Sequence, residues 1–271
     1  MADRTGLLFL LLFSFAFALV LGLFVGSHFV AQKLSIVEDS ASVANVGFFF
    51  LYIIFATALL LVVLHYYKGK NLFFYAELLL ELSALQIFLS IFTSEFNSFA
   101  IALALVVFRV LAPALKQPLL LAASVVVGAL LGSSFDFIPA MVLGFLLAAY
   151  DYFAVFKSKH MVVLAKELQK RQAAFAIQFS SGRGSAKAGG KTPAKGESIL
   201  LGTGDFVIPI MLSVSVLKTS VALAMLTAFG AVVGLSVLLF VMQKTRGYYP
   251  ALPPIVLFSA LSYFAGLLFF S

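Results

Sequence analysis

The sequence predicts an all-α polytopic membrane protein, a bundle of nine transmembrane helices with the N-terminus cytoplasmic and the C-terminus outside. Three observations predict it. The 271 residues are 63% hydrophobic and 11% charged, with a mean hydropathy of +1.12, which is more apolar surface than one soluble core of this size can bury. Setting aside one polar stretch of 41 residues, 157–197, leaves 230 residues of nearly unbroken apolar runs; at about 25 residues per span and turn, that makes roughly nine helices. Strictly alternating segments of barrel-strand length are absent, so a transmembrane barrel is excluded. Finally, counting Lys and Arg in alternate connections puts sixteen on one side and only Lys33 and Lys218 on the other. Basic residues are retained on the cytoplasmic side, and this sets the orientation.

In order, the spans are expected at residues 7–25, 43–64, 72–92, 99–114, 119–132, 137–156, 199–217, 221–241 and 254–270. The first follows Arg4 and shows no small-x-small cleavage pattern before Lys33, so it reads as a retained span. The fourth and fifth are short, which makes a re-entrant pair the rival reading. Residues 1–156 form a six-span part, 157–198 a cytoplasmic linker and 199–271 a three-span part, together one membrane domain. Within the linker, 159–178 mixes Met161, Leu164, Leu168 and Phe175 with Lys, Glu and Gln, the pattern of an amphipathic or extended surface helix. From Ser180 the Gly, Ser, Ala and Lys mixture cannot bury enough apolar area to order itself.

The positive charge, +7, belongs to connections and loop, so it reads as a topology signal and no nucleic-acid partner is expected. Cysteine is absent, which excludes disulfides, zinc–thiolate sites and thiol nucleophiles. His28, His65 and His160 lie in or beside three different connections without metal-ligand spacing, so no metal and no cofactor is expected. Arg109, near the cytoplasmic end of span four, is expected to snorkel to the surface.

Acidic residues inside apolar spans carry the chemistry, because an ionised carboxylate in hydrocarbon costs about 3 kcal/mol even on insertion scales. Four qualify: Glu77, Glu81, Asp151 and Asp205. Asp151 lies six residues before Lys157 and Asp205 eight after Glu197, which places them about 9 and at most about 12 Å inside the cytoplasmic ends of spans six and seven. Packed as antiparallel neighbours, these spans bring the two carboxyl groups face to face. Such a pair can share one proton, one member taking a proton from attacking water while the other donates to a peptide carbonyl. A structural pair or a transport pathway uses the same residues.

The flanks narrow the choice. Gly202 and Gly204, around Thr203, let an extended backbone approach Asp205, or else serve close helix packing. Tyr150 puts a hydroxyl beside Asp151. Pro250, Pro253 and Pro254 forbid a continuous helix through Pro250, Ala251 and Leu252, so this strip either cradles a peptide and fixes the Asp pair or simply starts a helix. Glu77 and Glu81, four residues apart on one face of span three, fit a water-lined cavity, a contact to another span or a pocket wall, and direct catalysis is not expected of them.

Tyr150-Asp151, Gly202-Thr203-Gly204-Asp205 and Pro250-Ala251-Leu252 resemble, in order and in span, the YD, GxGD and PAL signatures of the presenilin and signal peptide peptidase superfamily of intramembrane aspartyl proteases. The resemblance covers essentially the whole chain, and the short linker is most similar to archaeal presenilin homologues. It implies a presenilin-like bundle in the cell membrane that hydrolyses peptide bonds within transmembrane segments of other proteins. Asp151 and Asp205 would be the catalytic pair, and Tyr150, Gly202, Thr203, Gly204, Pro250, Ala251 and Leu252 would bind substrate or shape the site. No obligatory accessory subunit is expected. The sequence departs from presenilins in having Thr203 where they usually have Leu, and in a linker without an obvious self-cleavage segment. The alternative is a proton- or cation-coupled transporter or channel built on the same Asp pair, against which stand the off-centre depth of both acids and the lack of an inverted repeat.

Overall fold

In the computed structural model the described residues are 2–37, 39–66, 71–157, 176–180, 198–244 and 249–270. They form nine α-helices and one two-stranded antiparallel sheet: α1 (Ala2–Ala31), α2 (Val43–Tyr66), α3 (Asn71–Leu89), α4 (Glu95–Leu111), α5 (Lys116–Ser134), α6 (Phe137–Phe156), β1 (Ala176–Ser180), β2 (Ser198–Gly202), α7 (Thr203–Val216), α8 (Val221–Lys244) and α9 (Leu252–Phe270). A single 3₁₀ turn, Pro113–Leu115, joins α4 to α5. Among the described residues, five helical stretches are long and apolar enough to cross a membrane by themselves, in α1, α5, α6, α8 and α9. Phe9, Phe13, Phe48, Phe55, Phe229 and Phe269 are exposed among many other large apolar side chains, and a surface of that kind is stable only against lipid.

Helix α7 is the centre. It packs against α1, α5, α6, α8 and α9, while α2 leans on α6 and α4 on α3. Every residue from Ile208 to Val216 is buried, so α7 has almost no lipid-facing side. Glycine pairs four residues apart make this possible. A Cβ on Gly22 or Gly26 of α1 would stand 2.5 Å from Ile210 or Val214, and one on Gly128 or Gly132 of α5 would stand 2.8 or 2.7 Å from the carbonyl oxygens of Val207 or Met211. Gly230 and Gly234 of α8 meet the carbonyls of Phe258 and Pro254 in α9 in the same way. Without water between helices to drive association, such close backbone approach is a main source of packing energy.

The helices match the nine expected spans with shifted ends. Helices α4 and α5 start at Glu95 and Lys116, giving about 26 and 28 Å at 1.5 Å per residue, enough for two crossings. The clearest difference is at span seven, where residues 199–202 are strand and the helix begins only at Thr203. The physical reason is pairing: Ala176 faces Gly202 and Ser180 faces Ser198 in β1–β2, and Ile177 and Leu201 are buried in the core shared with α1 and α5. Residues 176–178 are therefore strand and not surface helix. The rest of that expected helix, and the strip after Ser180 expected not to order itself, lie outside the described residues.

Candidate active site

Fourteen residues make α7 about 21 Å long, too short for a hydrocarbon core of about 30 Å. The chain reaches its first turn in the extended form of β2, and backbone of that kind inside a membrane is tolerated only where protein or a water-filled crevice satisfies it. Asp205 is the third residue of the helix, and its Oδ2 accepts the amide of Gly202, the residue capping the helix, at 3.1 Å. This is half of a capping box, so the carboxyl group is oriented by its own helix start. Gly202 is pressed close: a Cβ there would lie 3.3 Å from Asp205 Oδ2, whereas one on Gly204 would meet nothing within 4 Å. Open space beside Gly204 is the room an extended backbone needs.

Asp151 lies on α6, 9% exposed. Its Oδ2 accepts the amide of Leu252 at 3.3 Å, and the amide of Ala251 also donates to its carboxylate. The two acids are near enough to interact electrostatically. Pro250 is outside helix, Ala251 sits in a bend, and Leu252 is already the first residue of α9. Expecting all three to be non-helical thus fails for Leu252, because prolines 253 and 254 fall in a first turn whose amides have no helical partner to lose. The same orphan amides explain the contact with Asp151. Tyr150 shares a hydrogen bond with Thr57 of α2, and Tyr249 holds the strip to α6 through an edge contact with Phe156, 6.5 Å between ring centres. Thr203 is half-buried at the start of α7.

A groove of about 490 Å³ opens between α2, α5, α6 and α7, lined by Phe49, Tyr52, Ile53, Ala56, Leu147 and Ile208 among others. Leu147 precedes Asp151 by four residues and Ile208 follows Asp205 by three, so the groove lies one helical turn toward the membrane interior from both acids.

Arg109 does not snorkel. It is 3% exposed, its Nη2 is paired with Glu77 Oε1, and its Nε lies 3.1 Å from Glu81 Oε2. Lys116 Nζ stands 3.1 Å from Glu77 Oε1. Of the readings open for Glu77 and Glu81, the structure shows contact to other spans: the two acids, Arg109 and the partly exposed Lys116 form a cluster that joins α3, α4 and α5. Burying Arg109 is favoured because both acids are themselves wholly buried and demand a partner. His28 Nδ1 contacts its own helix at Phe24 O, 3.0 Å away, and no cluster of three potential metal ligands occurs among the described residues.

The family described as signal-peptide peptidase, presenilin aspartyl protease matches residues 10–271. The chain belongs to that family. A solved structure described as a presenilin family intramembrane aspartate protease in the C222 space group aligns with 97% of this chain and 99% of its own, at 23% identity and a TM-score of 0.70. Another, in the P2 space group, covers 94% of this chain and 96% of its own, at 22% identity and a TM-score of 0.64. No curated protein sequence matches. The protein is an intramembrane aspartyl protease, and the alternative of a transporter or channel gives way to it.

Sequence reasoning had not picked out the glycine pairs, although the G-x-x-x-G spacing at 22/26, 128/132 and 230/234 is visible in the chain. Thr57 carried no local signal at all.

Proposed function

We propose that Asp151 and Asp205 are the catalytic pair of this presenilin-family protease. The observation that carries the assignment is that the two acids, one held by the amide of Gly202 and the other by those of Ala251 and Leu252, are near enough to interact electrostatically, with open space beside Gly204. Three backbone donors fix the carboxyl groups without neutralising them, leaving the pair to share one proton. As water attacks the scissile carbonyl carbon, the charged member takes its proton and the protonated member donates to the carbonyl oxygen. The resulting gem-diol collapses when a proton returns to the nitrogen, the C–N bond breaks, and the pair regains its starting state. Hydrolysis needs an unwound substrate, and Gly204 supplies space for one.

The α2–α6–α7 groove is proposed to hold the still-helical part of the substrate, its apolar lining suited to a transmembrane segment. Tyr150, Gly202, Thr203, Pro250, Ala251 and Leu252 shape the site around the pair. The N-terminus is assigned to the cytoplasm of a cell membrane by the distribution of Lys and Arg, which places both acids in the cytoplasmic leaflet. The six-span and three-span parts are read as one domain, since α1 and α5 pack on α7. The test is cleavage of a membrane-spanning peptide by purified protein, with and without a non-hydrolysable mimic of the gem-diol. Saturable inhibition by the mimic is expected. Cleavage that a chelator abolishes and the mimic leaves untouched would overturn the mechanism.

A further inference from the structure

We propose that Phe15 of α1 is a positioning residue for Asp205, acting through Phe206. The inference rests on the assignment of Asp205 to the catalytic pair. Phe206, the residue after Asp205, is 1% exposed and its ring centre stands 5.4 Å from that of Phe15, itself fully buried. Toward the other end of α7, Ile210 and Val214 follow Phe206 at four-residue intervals and seat on Gly22 and Gly26. One face of α7 is thus keyed into α1 along its length, and Phe15 is the key nearest the acid.

Besides the approach of Gly128 in α5 to the carbonyl of Val207 and the pairing of Gly202 with Ala176, the seating of Phe206 on Phe15 is what fixes the rotation of the first turn of α7 about the helix axis. That turn enters from Gly202 and has open space at Gly204. The carboxyl group sits about 6 Å from the helix axis, so a rotation of about 10° moves it by roughly 1 Å. A displacement of that size costs on the order of a hundredfold in rate. Phe15 itself lies outside the lining of the α2–α6–α7 groove, so substrate affinity should not follow.

The experiment compares purified Phe15→Ala, Phe15→Leu, Phe29→Ala and Asp205→Asn with the unaltered protein, measuring kcat and KM for one transmembrane peptide across pH. Phe29 is an equally buried ring in the same core, fourteen residues further along α1, or about 21 Å. Phe15→Ala is expected to lower kcat about 10- to 100-fold with KM within about twofold and a displaced pH profile, Phe15→Leu to recover much of the loss, and Phe29→Ala to keep kcat and profile in its folded fraction. Equal effects of Phe15→Ala and Phe29→Ala, or an unchanged pH profile in Phe15→Ala, would overturn the inference. Should Phe15→Ala fail to give monodisperse protein, Phe15→Leu decides: a lowered kcat with a displaced profile supports the role and unaltered kinetics refutes it. Full turnover by Asp205→Asn would remove the catalytic assignment as well. An inactive Asp205→Asn beside a normal Phe15→Ala would remove the positioning role alone.

Discussion

Replacing Arg109 by Met keeps the length and apolar stem of the side chain and deletes its charge. Lys116 still neutralises Glu77 at 3.1 Å, but Glu81 loses its one ion-pair partner among the described residues and keeps only the more distant charge of Lys116. Stranding one buried charge in this way costs about 3–5 kcal/mol. For a chain of this size, each kcal/mol moves Tm by roughly 2–4 °C, so a fall of about 10 °C is expected. Removing the stranded acid should undo much of it: the double variant Arg109→Met with Glu81→Gln is expected to recover about half, a coupling of roughly 2 kcal/mol in a double-mutant cycle. Thermal unfolding in one detergent, followed by helical circular dichroism, measures all four proteins of the cycle: the parent, Arg109→Met, Glu81→Gln and the double variant. Turnover well below the transition should be unchanged, because α3 and α4 carry none of the catalytic groups. A loss below about 1 kcal/mol is what a snorkelling arginine would give, and it would refute the buried cluster.

Gly128→Ala is expected to force α5 from α7, since its Cβ would lie 2.8 Å from the carbonyl oxygen of Val207; a destabilisation of about 1–3 kcal/mol, with turnover reduced, would show in the same melts and a cleavage assay. At the other end of the bundle, Asp136 is partly buried, which raises its pKa, but the hydrogen bond and charge of Lys218 at 2.9 Å, together with Ser40, pull it below 3.8 on balance. A depressed folded value means the contribution is present above the unfolded pKa and fades as pH falls through the folded one. The acid limb of stability below about pH 4 should therefore be shallower in Lys218→Ala, and an identical limb would contradict the pairing. In this cysteine-free chain, a single cysteine at Lys187 should label only from the cytoplasm and one at Lys218 only from outside, and labelling of both from one side would reverse the topology.

Spans and site motifs were legible because each rests on local physics. Apolar runs of bilayer length read as helices, and acids flanked by glycine or proline mark backbone that hydrocarbon would not tolerate. What escaped was non-local. The strand at Ser198–Gly202 reads as the start of a span because Ile199, Leu200 and Leu201 are as apolar as any helix, and only its partner Ala176–Ser180 makes it a strand. Arg109 sits where a snorkelling residue would sit. Its burial follows from Glu77 and Glu81 on another helix, more than two dozen residues away in sequence. The motif residues came together through α7, yet the glycines that let α1 and α5 close on it are ordinary in composition and informative only by spacing.

The central claim, that Asp151 and Asp205 form one catalytic unit, is tested most directly by turnover of a transmembrane peptide by Asp151→Asn and Asp205→Asn, each purified and shown to be monodisperse. Both variants are expected to be folded, at least as stable as the parent because a buried carboxyl charge has gone, and inactive, because the remaining acid cannot alternate between proton donor and acceptor. Turnover near the parental rate by either well-folded variant would contradict the claim.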